Sequence, residues 1–186
     1  MIIRKAIMVD AEDIAINLLP AMEDIIYHFI GKEDRREALS LLLRFVKEKA
    51  NPYSYENCYV ATDDEGKVVA AVNVYNGDKL YELRKPVALY IKTVSGKDIE
   101  LEDETGPGEY YIDSLGVSPA MRGKGIGSKL LRFLIDLYVV QQHQTLGLLV
   151  DKDNPAAKKL YLKLGFKLVG ERTLAGKSLE HLQIRI

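Results

Sequence analysis

A glycine-rich stretch in the second half of the sequence has the composition of an anion-binding loop. Glycines occupy every second position at Gly123, Gly125 and Gly127, and an apolar-periodic run from Leu130 to Val140 follows them. Glycine lets a backbone turn tightly and come close to a ligand. The first turn of a helix adds unpaired N–H groups and the positive end of the helix dipole. This combination predicts a phosphate site where the helix begins.

The side chains around this loop carry positive charge. No acidic residue lies between Gly116 and Ile135, and four basic residues do: Arg122, Lys124, Lys129 and Arg132. A Walker loop is excluded because no Gly-Lys-Ser/Thr follows the glycines. On this motif alone, a simple turn entering a helix remains an alternative.

A dinucleotide-binding Rossmann unit is a further alternative for the same loop. A predicted strand at Tyr110–Val117 precedes the loop, and Asp151 ends the next predicted strand, about where a ribose-binding acid would lie. Two features weigh against this interpretation. The strand stops five residues before Arg122, and the 35 residues after Asp151 are too few for a second nucleotide-binding half.

A second segment is predicted to be a helix with both ends marked. Asn154 is the expected N-cap, Pro155 occupies the first helical position and Gly165 follows the last turn. Tyr161 lies in one apolar stripe of this helix, so the residues alone also fit a core tyrosine. The other members of the stripe are Ala157, Leu160 and Leu164.

Together, the two segments resemble the GCN5-related N-acetyltransferases (GNAT). The nucleotide motif of that family, Gln/Arg-x-x-Gly-x-Gly/Ala, is matched by Arg122-Gly-Lys-Gly125-Ile-Gly127. Its following motif, Asn-x-x-Ala…Tyr-x-x-x-Gly-Phe, is matched by Asn154-Pro-Ala-Ala157…Tyr161-Leu-Lys-Leu-Gly165-Phe166. The resemblance covers about residues 109–172 and is only topological before them. It implies the α/β acyl-CoA N-acyltransferase fold, with helices flanking a central mixed, mostly antiparallel sheet.

In this family the strands matching Tyr110–Val117 and Leu146–Asp151 are splayed apart, and the pantetheine arm of acetyl-CoA fills the gap like an added strand. The resemblance therefore implies that main-chain groups of the first strand bind pantetheine and that the amides from Arg122 to Ser128 hold the pyrophosphate. Asn154 matches a residue on the pantetheine side. The donor-binding residues implied are Leu115, Gly116, Val117, Arg122, Gly123, Lys124, Gly125, Ile126, Gly127, Ser128, Asn154, Lys158 and Tyr161.

Acetyl transfer to an amine needs a general base, a donor for the oxyanion and a proton for the leaving thiolate. Glu109 stands 13 residues before Arg122, where some family members carry the base, and Asp113 shares its strand face. The other frequent family position holds Tyr111, so both carboxylates remain candidates, directly or through a water molecule. The resemblance implies Tyr161 as the general acid and a main-chain N–H near Val117 for the oxyanion. A non-catalytic acyl-CoA-binding or sensor domain is the alternative function.

The remaining elements must position these residues. Before the motifs we predict a strand at Ile2–Ile7 and then a helix that is capped by Asp10, restarted by Pro20 and closed by Gly31. A helical run at Asp34–Lys49 follows. The next prediction is a hairpin of Asn57–Asp63 and Lys67–Tyr75. After them we predict a strand at Phe166–Arg172, a turn at Ala175-Gly176-Lys177 and a strand at Leu179–Ile186.

Residues 76–108 form a longer connection than a minimal family member has. Two β-like runs, Val87–Val94 and Ile99–Leu101, predict an added hairpin or lid near the acceptor site. The segment Asp98–Asp113 holds seven acids and no base in 16 residues. It fits either a solvated acidic loop or an entrance that attracts a cationic amine.

Composition sets the broad class. The chain has 186 residues, a net charge of −1 and 28% charged residues, which predicts one soluble domain over residues 1–186. The near-neutral charge and the lack of a long apolar run argue against nucleic acid and membrane partners. One cysteine, Cys58, favours the cytoplasm. The three histidines lack ligand spacing, so we expect no metal. The expected partners are acetyl-CoA and an amine acceptor, with the protein a monomer or homodimer.

Overall fold

The computed structural model describes residues 1–96, 98, 101–174 and 176–186. Within these residues, seven strands form one sheet in the order β1-β2-β3-β4-β5-β7-β6. The strands are β1 (Ile2–Lys5), β2 (Cys58–Thr62), β3 (Val68–Asn76), β4 (Tyr110–Val117), β5 (Leu146–Asp151), β6 (Lys167–Leu174) and β7 (Lys177–Ile184). Among the paired strands described, β4 and β5 alone are parallel. The expected mixed, mostly antiparallel sheet is confirmed, and a Rossmann sheet is excluded.

Helices cover both faces of this sheet. Their bounds are α1 (Ala11–Ile30), α2 (Arg35–Lys47), α3 (Leu80–Ser95), α4 (Ile126–Leu134) and α5 (Pro155–Lys163). Buried side chains of α1, α2 and α3 form one apolar cluster with β2 and β3, whereas α4 packs into a second cluster on the opposite face. The chain after α4 continues as a π-helix over Ile135–Gln141, which the sequence pattern did not indicate.

The first helix corrects two expectations. Pro20 does not restart it, because α1 runs unbroken through that position. Proline removes the N–H that would bond the carbonyl of Ile16, but both residues are exposed, so water can satisfy that carbonyl. Asp10 precedes the helix without a side-chain cap bond. Its carboxylate instead accepts from Arg4 Nη1 at 2.7 Å and from the N–H of Ile7 at 2.8 Å.

The connection between β3 and β4 also differs from expectation. Residues Val87–Val94 belong to α3, so the predicted strand there is wrong. The buried residues of α3 recur at helical spacing, and Gly96, with φ of +68°, ends the helix in the left-handed conformation. In the other predicted run, Ile99 and Glu100 lie outside the described residues, as does Ala175 of the predicted turn. The early hairpin is confirmed as the antiparallel pair β2–β3.

Candidate active site

The parallel strands β4 and β5 separate soon after they meet. They pair from Tyr110 with Leu146 to Ile112 with Leu148, and no further pairs follow among the described residues. The later part of β4 remains bonded to β3, as far as Ala70 with Val117. One edge of β4 therefore lacks a strand partner beyond Ile112, as expected for the gap in which the resemblance places pantetheine.

A β-bulge lies where the two strands diverge. Asn73 of β3 pairs with Ser114, and the next β3 residue, Val74, pairs with Ile112. Asp113 is therefore the extra residue of β4 at this point. The bulge lets Asp113 face the α1 side of the sheet, where Ser114 also lies, with its Oγ 3.5 Å from Met22 Sδ. Asp113 thus lies at the vertex of the gap.

The glycine-rich loop lies beyond the end of β4. Gly123 and Gly125 adopt φ of +76° and +74°, which side-chain-bearing residues rarely adopt, and α4 begins immediately afterwards at Ile126. A Cβ at either glycine would meet no atom within 4 Å, so the space beside the loop is open. Arg122 donates from Nε to the carbonyl of Val117 at 3.2 Å. The open loop at the N-terminus of α4 fits a phosphate ligand.

The positive charge predicted for this loop is exposed. Within the part of the chain that the structure describes, none of the four basic side chains forms an ion pair with a carboxylate. They are Arg122, Lys124, Lys129 and Arg132, and each is solvent-exposed. Gly116, in contrast, has a packing role, because a Cβ there would overlap the carbonyl of Asn17 on α1.

Helix α5 has the predicted cap. The Oδ1 of Asn154 accepts from the N–H of Ala157 at 3.1 Å. Lys158 pairs with Glu180 Oε1 at 2.7 Å, so its ammonium already has a partner within the fold. Tyr161 is half-buried, with its ring 5.9 Å from that of Phe166. Burial raises the pKa of Tyr161, so the phenol keeps its proton at neutral pH.

A cavity of about 830 Å³ adjoins the gap on the α1 side of the sheet. Asp113 and Tyr111 of β4 and Leu149 of β5 line it next to the point of divergence. Its other carboxylates are Glu23, Asp24, Glu102 and Glu104, and its basic residues are His28, Arg84 and Lys177. Most of the remaining lining is apolar, including Met22, Ile25, Phe29, Val87, Leu174 and Leu179. The cavity can therefore hold an organic cation with an apolar body.

The acidic segment after α3 is not a freely solvated loop in its described part. Asp103 accepts from Arg84 at 2.9 Å and from Tyr81 at 2.6 Å. Asp98 pairs with Lys92 at 2.8 Å, outside the cavity. Only Glu102 and Glu104 of the described loop acids line the cavity, so the acidic entrance has a smaller and more ordered charge than the sequence indicated.

Glu109 occupies a closed hydrogen-bond network at the paired end of β4. Its Oε2 accepts from His181 Nε2 at 2.9 Å and Gln183 Nε2 at 2.7 Å, and its Oε1 accepts from Thr105 at 2.6 Å. Burial alone would raise the pKa of Glu109, but these bonds together outweigh it and leave the pKa lowered. Glu109 is not one of the described residues that line the cavity. Its place in the structure therefore favours a structural role.

Asp113 has the opposite electrostatic environment. Burial raises the pKa of its carboxyl to about 6, and the positive charge of Arg84 and a hydrogen bond with Ser114 oppose this rise. A half-buried carboxyl that titrates close to neutral pH is suited to accept a proton. Glu109 and Asp113, which the sequence left as equal candidates for the general base, therefore lie in different electrostatic environments.

Sequence reasoning missed several cavity residues. Glu23 and Asp24 lie on α1, far in sequence from either motif. Arg84 lies in α3, of which residues Val87–Val94 were predicted as a strand. The helical spacing of Leu80, Leu83 and Val87 was the signal that could have placed Arg84 on a helix.

Comparison with known proteins identifies the family. The profile described as the acetyltransferase (GNAT) family matches residues 24–166. The N-alpha-acetyltransferase RimI of Mycobacterium tuberculosis (strain ATCC 25618 / H37Rv) is 38% identical over 97 residues, covering 49% of this chain and 60% of RimI. The match thus spans less than two thirds of that curated relative.

Solved structures share the whole architecture. An N-acetyltransferase from Staphylococcus aureus Mu50 superposes with a TM-score of 0.84 at 27% identity, covering 99% of this chain and 100% of the other. A second structure, described as an acetyltransferase, has a TM-score of 0.80 at 29% identity, covering 100% and 99%. The chain belongs to the GNAT acetyltransferase family. The family resemblance drawn from the two sequence motifs is confirmed.

None of the helices in the described residues combines the length and apolar character needed to cross a bilayer. The same part of the chain contains no cluster of three His, Cys, Asp or Glu side chains suited to a metal ion.

Proposed function

We propose that this protein transfers the acetyl group of acetyl-CoA to a primary amine of a small cationic molecule or of a protein or peptide. The amine attacks the thioester directly while both substrates are bound. The observation that carries this proposal is the meeting of two features at Asp113: the gap between β4 and β5, and the acid-lined cavity on the α1 side.

The donor side of the proposal rests on backbone geometry. Pantetheine would bond the free edge of β4 at Leu115, Gly116 and Val117, while the amides from Arg122 to Ser128 hold the pyrophosphate. The exposed charges of Arg122 and Lys124 support phosphate binding there. Asn154 retains its side-chain NH₂ group for the pantetheine side, because its Oδ1 already caps α5. Lys158 is the weakest of these assignments, since Glu180 holds its ammonium.

The acceptor side rests on charge and protonation. A free alkylamine has a pKa near 10 and is mostly protonated at neutral pH. The carboxylates of the cavity would attract this cation, and Asp113, with a pKa of about 6, is ionised at pH 7 and can take its proton directly or through water. We therefore assign the base to Asp113 rather than to Glu109, whose carboxylate is fully engaged.

The bond changes then balance as follows. The amine nitrogen attacks the thioester carbonyl, whose oxygen gains negative charge and accepts from a main-chain N–H near Val117. The intermediate collapses as the C–S bond breaks, and the thiolate takes the proton held by Tyr161. The nitrogen then loses its excess proton, which returns through water to the Tyr161 phenolate, and Asp113 releases to solvent the proton that it took from the ammonium. The products are an N-acetylated amine and CoA-SH. The raised pKa of Tyr161 keeps this proton in place until a basic group develops nearby.

The proposal is tested by incubating the protein with acetyl-CoA and a panel of amines, including alkylamines, diamines and short peptides. Free thiol release and the mass of the product are measured together. We expect amine-dependent thiol release with a matching acetylated product. Saturable acetyl-CoA binding in calorimetry without thiol release for any amine would contradict catalysis and support the acyl-CoA-binding or sensor function instead.

A further inference from the structure

Arg84 of α3 is a nearly buried guanidinium in the wall of the cavity. Its exposed fraction is 8%, and within the described residues its side chain contacts the acidic loop of residues 101–104. Nη1 donates to the carbonyl of Leu101 at 3.1 Å and to Asp103 Oδ1 at 2.9 Å. Nη2 donates to the carbonyl of Glu102 and pairs with Glu104 Oε2. One side chain thus contacts four successive residues of the loop.

Other residues also hold the same loop. Tyr75 Oη donates to Glu104 Oε1 at 2.5 Å, and Arg172 Nη1 donates to the carbonyl of Asp103 at 3.1 Å. A Cβ at Gly77 would overlap the carbonyl of Gly106, so the chain just after the loop is closely packed against the residue that follows β3. Arg84 differs from these tethers because it also lines the cavity. Loss of Arg84 would release the loop on the side that faces the acceptor.

The charge of Arg84 also acts on Asp113, which lines the same cavity. Among the basic residues of the lining, Lys177 is held by Asp24 at 2.9 Å near the exposed rim. Arg84 is the positive group that lowers the pKa of Asp113 against the effect of burial. Other titratable groups around the cavity are Glu23, Asp24 and His28 on α1, Tyr53 before β2, Tyr75 on β3, Tyr111 on β4, Glu102 and Glu104 in the loop and Lys177 on β7.

We propose that Arg84 is a positioning residue for acetyl transfer, which fixes the acidic loop as the wall of the acceptor site and keeps a permanent positive charge in the cavity that the base Asp113 also lines. This inference rests on the proposed function. Two effects of Arg84 are therefore separable. The fork of the guanidinium fixes the loop and so affects amine binding, whereas its charge affects the protonation of Asp113.

The test compares Arg84→Met, Arg84→Lys and the matched control Arg172→Met. Arg84→Met removes both the forked guanidinium and its charge. We expect the KM for the amine to rise about 10-fold because the loop is no longer fixed. We also expect the acid limb of the kcat/KM–pH profile to move upward by about one pH unit, which is the low end of the effect of one opposite charge on the pKa of a carboxyl. Arg84→Lys keeps the charge, so the acid limb of its pH profile should stay at the wild-type position. Its KM for the amine should rise about 3-fold or more, because the guanidinium contacts with the loop are lost. Arg172→Met removes a loop contact made by a residue that does not line the cavity, and it should leave the acid limb of the pH profile unchanged.

A second measurement does not depend on turnover. The carboxyl resonance of Asp113 is followed by NMR against pH in ¹³C-aspartate-labelled protein, assigned by its loss in Asp113→Asn. We expect the midpoint pH of this titration to rise in Arg84→Met and to stay at the wild-type value in Arg84→Lys. An unchanged midpoint in a folded Arg84→Met protein overturns the charge effect. If Arg84→Met does not fold, an unchanged amine KM in Arg84→Lys overturns the positioning role. A wild-type protein inactive on every amine refutes the proposed function, while the titration still decides the role of Arg84.

Discussion

The proposed donor loop, residues 122–128, and the cavity proposed to bind the acceptor carry charge in opposite ways. At the donor loop, four exposed basic side chains stand without carboxylate partners in the described structure, and the shape comes from glycine backbone around Gly123 and Gly125. In the cavity, the charged side chains come from α1, α3, a loop and the sheet, and many are paired, as Arg84 is with Glu104. The proposed donor site is therefore built from one local segment and suits an anion. The proposed acceptor site depends on contacts between distant segments.

The largest effect is expected where the two regions meet. Asp113→Asn should lower turnover by about 10²–10⁴-fold, the usual cost of losing a general base, and leave acetyl-CoA affinity unchanged. The acid limb of kcat/KM with a midpoint of about 6 should disappear, because the carboxylate is active only when it has lost its proton. Steady-state kinetics from pH 5 to 9 and calorimetry with acetyl-CoA provide the measurements.

Glu109→Gln is the matched control on the same strand. It should retain most turnover and lower the stability of the fold by about 1–3 kcal/mol, because three donors, two of them buried, lose a charged acceptor. If Glu109→Gln abolished the acid limb while Asp113→Asn kept it, the two roles assigned here would be exchanged. Urea unfolding and the pH profile of each variant make this decision.

The next prediction concerns a substitution in the proposed donor loop alone. Gly125→Val forces a β-branched residue to φ of +74° and crowds the open space beside the loop, so acetyl-CoA affinity should fall about 10-fold or more. Gly66→Val imposes similar strain at φ of +85° in the β2–β3 turn and is the matched control. It should lose stability without losing affinity. Equal acetyl-CoA affinity of Gly125→Val and wild type in calorimetry would remove the loop from the donor site.

A smaller effect is expected from single charges in the acidic segment. Glu102→Gln removes one carboxylate from the cavity lining and should raise the KM of cationic amines about 2- to 5-fold, with acetyl-CoA affinity unchanged. Asp98→Asn, in the same segment but paired with Lys92 outside the cavity, should not raise it. Added salt should imitate Glu102→Gln, since it screens charges over roughly 8–10 Å. A KM that responds to neither change would show that the cavity charge does not attract the acceptor.

The smallest effect on turnover is expected at Cys58. This thiol is fully buried in β2, and burial raises its pKa to about 12, so it is neither accessible nor ionised at neutral pH. Cys58→Ala should keep most activity and lose some stability, because direct attack by the amine needs no acyl-cysteine. Mass spectrometry of the protein after acetyl-CoA addition is the check. Acetylated Cys58 that turns over to product would contradict direct attack.

The sequence predicted the two regions unequally, for physical reasons. The loop at Gly125 and the cap at Asn154 follow from local rules, because glycine conformations and helix ends depend on a few adjacent residues. The gap between β4 and β5 was expected from the family resemblance alone. Asp10 failed as a cap because Arg4, in a separate strand, competes for its carboxylate. The separation of Glu109 from Asp113 could not be predicted. It depends on a bulge opposite Asn73 and on partners more than 70 residues away.

The network of Glu109 also bears on how the protein reaches its native state. Two of its partners, His181 and Gln183, belong to β7, which lies 72–74 residues later in the chain. A Cβ at Gly147 would overlap the carboxylate of Glu109, so β5 packs closely against this side chain. The hydrogen bonds of Glu109 therefore form only once β5 is in place. Contacts of such long sequence separation form late, because the closure of long loops is entropically costly. In refolding, we therefore expect the amides of α4 to gain protection from hydrogen exchange before the amides around Asp113, where β4 and β5 separate. Binding of acetyl-CoA would then report the final step of assembly rather than the first collapse.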